Sequence, residues 1–329
     1  MKTVAFFNNK GGVGKTTLVY HLACMLTEAG QTVLAVDLDP QANLTAMFLE
    51  EDRLEELWPD GEHPKTIAGA LRPIIRGLGD VLEPHVERIN LLLGLVVGDL
   101  ALSTFEDKLS DAWPRCHNRD ESAFRTMTAF HRAMRMAASS IGADWVLIDV
   151  GPNLGAINRA ALIASERVVI PLGPDLFSIQ GLRNLGPSLR AWRASWTELR
   201  GKNPDPELDL PEGAIETLGY VLMQHGLRES RPSKAYQRWI NRFPCVYRES
   251  VLDQPCEERI TASQDDYCLA MLKHYRSLMP MAMEARKPVF ALKPADGAIG
   301  AHAEAVRNAY RDFRELARRI AERSGGVLR

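Results

Sequence analysis

Residues 6–23 read FFNNKGGVGKTTLVYHLA. Before the glycines, Thr3 to Phe7 is a short apolar run ending at Asn8-Asn9, the form expected of a buried parallel strand. After them, Leu18, Leu22, Met25 and Leu26 recur at helical spacing across Thr17 to Ala29, and Gly30 stands where a helix C-cap glycine belongs. The next run, TVLAVDLDP at 32–40, is a second strand closed by Asp39-Pro40. A strand, a glycine loop, a helix and a parallel strand form the core of a doubly wound α/β sheet with helices on both faces.

The loop itself carries chemistry. Gly11, Gly12, Val13, Gly14, Lys15, Thr16 and Thr17 lie between strand and helix, the context that makes a phosphate-binding loop credible. Glycines let backbone N–H groups turn toward phosphates, and the helix N-terminus adds partial positive charge. Lys15 is expected to reach the β- and γ-phosphates of ATP, the Thr16 hydroxyl to ligate Mg²⁺, and Thr17 to bond the α-phosphate. The Lys-Thr pair and the lack of GxGxxG order argue against a nicotinamide cofactor. A second lysine, Lys10, precedes the loop, so its side chain points away from the phosphates its own loop would hold.

Strand and helix alternate through the rest of the chain. WVLIDVGP (145–152) is a strand with Asp149 at its C-terminal end. RVVIPLGP, TLGYVLM (217–223) and KPVFALKP (287–294) are read as further strands, and 303–323 as a packing helix. Residues from about 50 to 113 interrupt this pattern as an insertion, and 199–213 form a polar, proline-rich loop. With no internal repeat, the 329 residues are read as a single P-loop domain. The proportions are globular, with 46% hydrophobic and 25% charged residues, and the formal charge of −2 leaves no overall electrostatic footprint for nucleic acid. No apolar run approaches the ~20 residues of a bilayer span, and no signal-peptide cleavage site follows the N-terminus. A cytoplasmic protein is expected. The five cysteines lack metal spacing and are expected as unpaired thiols.

KGGVGKTT, with Lys10 at its head, resembles the signature of the deviant Walker A ATPases, the ParA/MinD group. The resemblance implies that Lys10 crosses a dimer interface to the partner's nucleotide, so that ATP makes a homodimer. VDLDPQANLT fits the same family, in which Asp39 would position or deprotonate the attacking water while Asp37 lies toward the magnesium. Asp149 has the setting of a Walker B acid holding Mg²⁺ through water. Here the chain departs from the family: a run close to TPPSLG is replaced by Val150-Gly151-Pro152-Asn153-Leu154-Gly155. PLGPDLFSIQGLRNL (171–185) resembles the family's dimer-face segment. KPVFALKPADGAIG resembles its adenine cradle, which makes Pro294 and Asp296 candidates. The match is close over 2–45 and 141–185 and loose in the C-terminal third; the insertion matches weakly, though LLLGLVVGDLALSTFE (91–106) resembles the family's strand-then-helix there.

ParA-type proteins bind non-specific duplex DNA as ATP dimers and release it when a ParB-like or cargo adaptor protein triggers hydrolysis. The resemblance therefore implies a slow, partner-stimulated Mg-ATPase for DNA or cargo partitioning, nucleoid-associated while ATP is bound. Arg183, Arg190, Arg193, Arg228, Arg231 and Lys234 are candidates for a basic DNA strip, with Arg238 and Arg242 beyond them. The tail RRIAERSGGVLR offers little bulky apolar surface, so membrane targeting of the MinD kind is not expected. No cysteine follows the Asp149 strand where an iron–sulfur cluster would need one. No N-terminal helix-turn-helix precedes the first strand, which speaks for the ParA branch without that extension. Two alternatives remain open: an ATP-gated switch acting on protein partners only, and a small-molecule ATP-dependent ligase.

Overall fold

The computed structural model describes residues 1–224, 234–256, 260–273, 275 and 277–328. Its centre is one sheet of eight strands: β1 (Lys2–Phe6), β2 (Val33–Asp37), β3 (Glu87–Arg88), β4 (Leu93–Val96), β5 (Trp145–Asp149), β6 (Arg167–Leu172), β7 (Glu216–Gln224) and β8 (Cys268–Lys273). They lie in the order β3-β4-β2-β5-β1-β6-β7-β8. All pair in parallel except the short β3–β4 hairpin. The sheet is the doubly wound, mostly parallel one that the opening residues imply.

The helices follow in chain order: α1 (Lys15–Glu28), α2 (Asn43–Phe48), α3 (Glu51–Leu57), α4 (Ile67–Arg76), α5 (Phe105–Cys116), α6 (Glu121–Met127) and α7 (Ala129–Ile141). Then come α8 (Ala156–Ile163), α9 (Leu176–Arg200), α10 (Lys234–Ile240), α11 (Phe243–Tyr247), α12 (Leu278–Glu284) and α13 (Ala301–Arg323). Side chains alternate across a strand, so each central strand feeds two cores. Ala5, Leu34, Val36 and Ile148 pack with α4 to α9 on one face. Val4, Phe6, Val33 and Ala35 pack with α1, α12 and α13 on the other. This explains why β2 and β5 are apolar at almost every position and fully buried.

Several sequence expectations are corrected. KPVFALKP is not a strand: Val289–Ala291 and Pro294–Asp296 are 3₁₀ turns. Pro288 has no N–H to give a ladder, and the Val289 N–H is taken by His21 Nε2 at 3.1 Å. The place beside β7 goes instead to Cys268–Lys273. Within 50–113, LLLGLVVGDLALSTFE does form a strand and then helix, as its resemblance implies: Leu93–Val96 is a full member of the sheet, paired with β2, and α5 follows. The expectation of unpaired cysteines fails at Cys245 and Cys256, which form a disulfide. Cys24, Cys116 and Cys268 are free thiols, each pushed up to about 12 by burial. Among the described residues no helix is long and apolar enough to cross a membrane.

Candidate functional site

Three neighbouring strands, β2, β5 and β1, end together at one edge of the sheet, where Phe6 and Asp37 both stand in register with Asp149. That is where ligands bind in open α/β sheets. The loop after β1 folds back over this edge with Gly12 at φ 71° and Gly14 at φ 86°, left-handed values that a side chain resists. Gly14 is the N-cap of α1. It supplies no capping side chain, and the first turn of α1 holds no acidic residue, so the helix's leading N–H groups point into the cleft without a partner of their own.

The cleft has a volume of about 760 Å³. Its phosphate end is lined by Gly11, Gly12, Gly14, Lys15, Thr16 and Thr17, with Asp39 and Pro152 facing them. Lys15 is buried, and its one hydrogen bond among the described residues is a long 3.4 Å donation to the Lys10 carbonyl. Burial lowers its pKa, while Asp149 and Asp39 pull the other way. An ammonium so poorly supplied with acceptors is suited to an anion.

The two innermost carboxylates differ. Asp37 is fully buried, and burial pushes it up to about 7 against the hydrogen bonds of Thr45. Its Oδ2 accepts from the Thr45 N–H and O–H, each at 2.8 Å, and Oδ1 from the Asp39 N–H at 3.3 Å. Its oxygens thus serve the turn leading into α2 rather than the cleft, which departs from the expected orientation toward a metal. Asp149 is also fully buried, and among the described residues no hydrogen bond of good geometry reaches either of its oxygens. Burial and the neighbouring Asp37 raise its pKa well above the carboxylate range, opposed by the Thr16 hydroxyl and Lys15. An orphaned carboxylate of this kind calls for a cation, and the Thr16 hydroxyl beside it is a second oxygen donor. These residues fit Mg²⁺. Among the described residues no three His, Cys, Asp or Glu side chains are arranged to hold a metal ion by themselves, so most of that ion's coordination would come from water and phosphate.

Asp39 is buried at the cleft, its Oδ1 accepting from the Gln41 N–H at 3.0 Å. The altered loop after Asp149 is braced around it. A Cβ on Gly151 would stand 3.5 Å from Asp39 Oδ1, and one on Gly11 3.8 Å from Pro152. Asn158, buried on α8, donates through Nδ2 to the Gly151 carbonyl at 2.9 Å, the Asn153 carbonyl at 2.6 Å and Asn153 Oδ1 at 3.0 Å. Glu106 of α5 accepts from the Ala156 and Ile157 N–H groups at 2.5 and 2.8 Å, capping α8 from outside. Sequence reasoning missed both residues. Asn158 sits three residues after Gly155 in an unremarked helix start, and Glu106 is remote in sequence.

Lys10 does not line the cleft. It pairs with Asp175, the N-cap of α9, and its ammonium lies 5.7 Å over the exposed Phe177 ring. Pro294 and Asp296 do not line it either. Asp296 is bound to Lys287 Nζ at 2.7 and 2.9 Å. The wall at that end is Tyr20, Met47, Met279, Ala282, Met283 and Arg286. Arg286, at φ 47°, donates across the cleft to the Leu49 carbonyl. These positions lacked any sequence signal because only tertiary folding brings α1, α2 and α12 together around the cleft.

Of the candidate DNA residues, Arg183 is exposed on α9. Arg190 and Arg193 turn inward to backbone carbonyls of Ser250 and Ile215. They are therefore not part of one surface strip with Arg183. Arg228 and Arg231 lie outside the described residues, and Lys234 opens α10. Arg238 and Arg242 flank the Trp239 ring at 5.4 and 5.2 Å.

Residues 1–198 match a family of AAA domains. Over 194 residues the chain is 30% identical to the chromosome-partitioning ATPase Soj of Thermus thermophilus, covering 59% of this chain and 64% of Soj. Over 221 residues it is 29% identical to the chromosome partitioning protein ParA of Myxococcus xanthus, covering 66% of this chain and 65% of ParA. The chain thus spans a little under two thirds of these two relatives. The apo structure of McdA from Cyanothece superposes with a TM-score of 0.63 over 96% of this chain and 99% of McdA, at 17% identity, a likeness of fold alone.

Proposed function

Since the chain belongs to the AAA domain family and is a ParA-like P-loop ATPase of the partition group, we propose that it is an ATP-driven dimerising switch. In this reading the ATP dimer holds non-specific duplex DNA and lets go on hydrolysis, positioning DNA or another cargo. The observation that carries it is the acceptor-poor Lys15 ammonium, lining the cleft with Thr16 and Asp39, together with the Asp149 carboxylate buried close to all three.

Each residue then has a task. Gly11 to Gly14 and the uncapped start of α1 hold the phosphates, and Lys15 neutralises the β- and γ-oxygens. Thr16 and Asp149, the latter through water, hold Mg²⁺, which when bound offsets phosphate charge. Asp39 orients the attacking water; phosphoryl transfer needs positioning and charge more than covalent help. Asp37 supports Asp39 through its backbone N–H. Lys10 leaves Asp175 for the partner's nucleotide. That exchange is cheap, because a half-exposed ion pair of this kind is worth about 0.2–1 kcal/mol. Tyr20, Met47, Met279 and Met283 enclose the base, with Pro294 and Asp296 behind that wall. Arg183, Arg238 and Arg242 are the DNA-facing cations, and Arg228, Arg231 and Lys234 complete the set. A ParB-like or adaptor protein stimulates turnover in the cytoplasm.

The test uses Asp39→Ala with Mg-ATP or Mg-ADP, titrated with a random-sequence duplex at several salt concentrations. Tight, salt-sensitive binding with ATP alone is the expected result. ATP dimers that ignore DNA at every salt concentration would instead make this a switch for protein partners. Turnover that required a small co-substrate would make it a ligase.

A further inference from the structure

Far from the cleft, at the N-terminal end of β7, Arg190 and Arg193 of α9 and Arg323 of α13 line a single cavity of about 390 Å³, together with Thr217 and Tyr267. Arginines at the base of a sheet are ordinarily neutralised, and a neighbour shows how. Arg248 Nη2 donates at 2.7 Å to the buried carboxylate of Asp265. Arg190 is similarly placed, 3.3 Å from Asp253. Glu216, which also lines the cavity, lies 3.7 Å from Arg167 outside it.

Arg193 and Arg323 are different. Among the described residues neither has a carboxylate within ion-pair distance. Arg193 donates through Nη2 to the Ile215 carbonyl at 3.0 Å, and its buried Nε has no partner among the described residues. Arg323 donates to the Leu218 and Asp266 carbonyls, both at 2.7 Å. Carbonyl oxygens satisfy N–H groups without cancelling charge. Two positive guanidiniums on one concave wall repel, and more strongly where water is partly excluded. A multiply charged oxyanion between them would remove that repulsion. The guanidinium fork matches tetrahedral oxyanions in geometry as well as charge.

We propose that this cavity is a phosphate seat, separate from the nucleotide cleft and built wholly within one chain. It takes a phosphate group, whether free in solution or carried on a nucleic-acid backbone. Because no residue of the phosphate loop or of Lys10 takes part, the seat stands independently of the partition reading.

The test uses the full chain with the cleft saturated by Mg-ADP, so that the phosphate loop cannot supply the signal. Inorganic phosphate is exchanged for chloride at constant ionic strength while thermal unfolding is followed. The wild-type Tm should climb with phosphate, and Arg193→Gln and Arg323→Gln should each lose most of that climb. Arg318→Gln, an exposed neighbour on α13 paired with Glu315, should keep it. Should one cavity variant fail to fold, the other decides. A flat wild-type response, or an equal climb in a folded cavity variant, overturns the seat. A second arm adds random duplex DNA. If the duplex abolishes the phosphate response, and Arg323→Gln makes the plot of log K against log salt shallower by about one, the phosphate is a backbone phosphate. If the response survives saturating duplex, the ligand is free phosphate. A chain that binds no DNA yet keeps its phosphate response removes the partition reading and leaves the seat in place.

Discussion

At pH 7 the imidazole of His21 is uncharged, because burial lowers its pKa to about 4. The ring is pinned on both sides, Nδ1 donating to the Thr17 carbonyl at 2.7 Å and Nε2 accepting from the Val289 N–H at 3.1 Å, and it stacks on Phe313. It thereby ties the helix of the phosphate loop to the C-terminal segment that closes the cleft. The pH consequence has a definite sign. Below its ordinary value of 6.5 the unfolded chain takes up a proton on this ring and the folded chain does not. Stability is therefore whole above about pH 6.5 and drains as pH falls toward about 4. Between pH 7 and 5 the wild type should lose about 2 kcal/mol more than His21→Phe, measured by denaturant unfolding at both pH values. Parallel losses in the two proteins would mean that the ring titrates normally. No periodicity could have revealed this, since His21 occupies an ordinary helical position.

Between element and element, the loop from Asp149 to α8 is the part most dependent on outside support. Asn158 holds it from within α8, and Glu106 holds α8 from α5. Asn158→Asp keeps the shape but replaces a donor by an oxygen facing carbonyl oxygens in a buried place. It should cost about 1–3 kcal/mol of stability. It should also slow ATP turnover while leaving ATP affinity within a few-fold, as turnover and equilibrium nucleotide titration would separate. Affinity falling in step with turnover would instead make the loop part of the binding surface. The central elements were legible in the sequence because β2 and β5 are fully buried runs, and β1 and β6 are buried beyond their first residue, so that they need no partner to be recognised. Cys268–Lys273 was not, being a partly exposed run at the sheet's edge that follows directly on Asp265-Asp266. KPVFALKP misled because it has strand composition but spends its N–H on His21. At the candidate site the glycines, Lys15, Thr16, Asp39 and Asp149 were visible as local pattern. The base-end wall and Glu106 were not, since only tertiary folding brings them there.

For the molecule as a whole, the decisive question is what Lys10 does when a second copy arrives. Lys10→Ala should keep nucleotide binding by the monomer and abolish ATP-dependent dimers, as light scattering at several protein concentrations would measure. ATP dimers of unchanged affinity would return Lys10 to a surface role beside Asp175. A last consequence belongs to α1. Its leading N–H groups have no cap of their own, so the phosphates of a bound nucleotide would complete the helix as a capping side chain does elsewhere. Ligand that binds only the folded form adds about 2.7 kcal/mol when present at a hundred times its Kd. The working life of each copy would then follow the supply of nucleotide of either phosphorylation state: copies left empty would open more often and be the first that proteases clear.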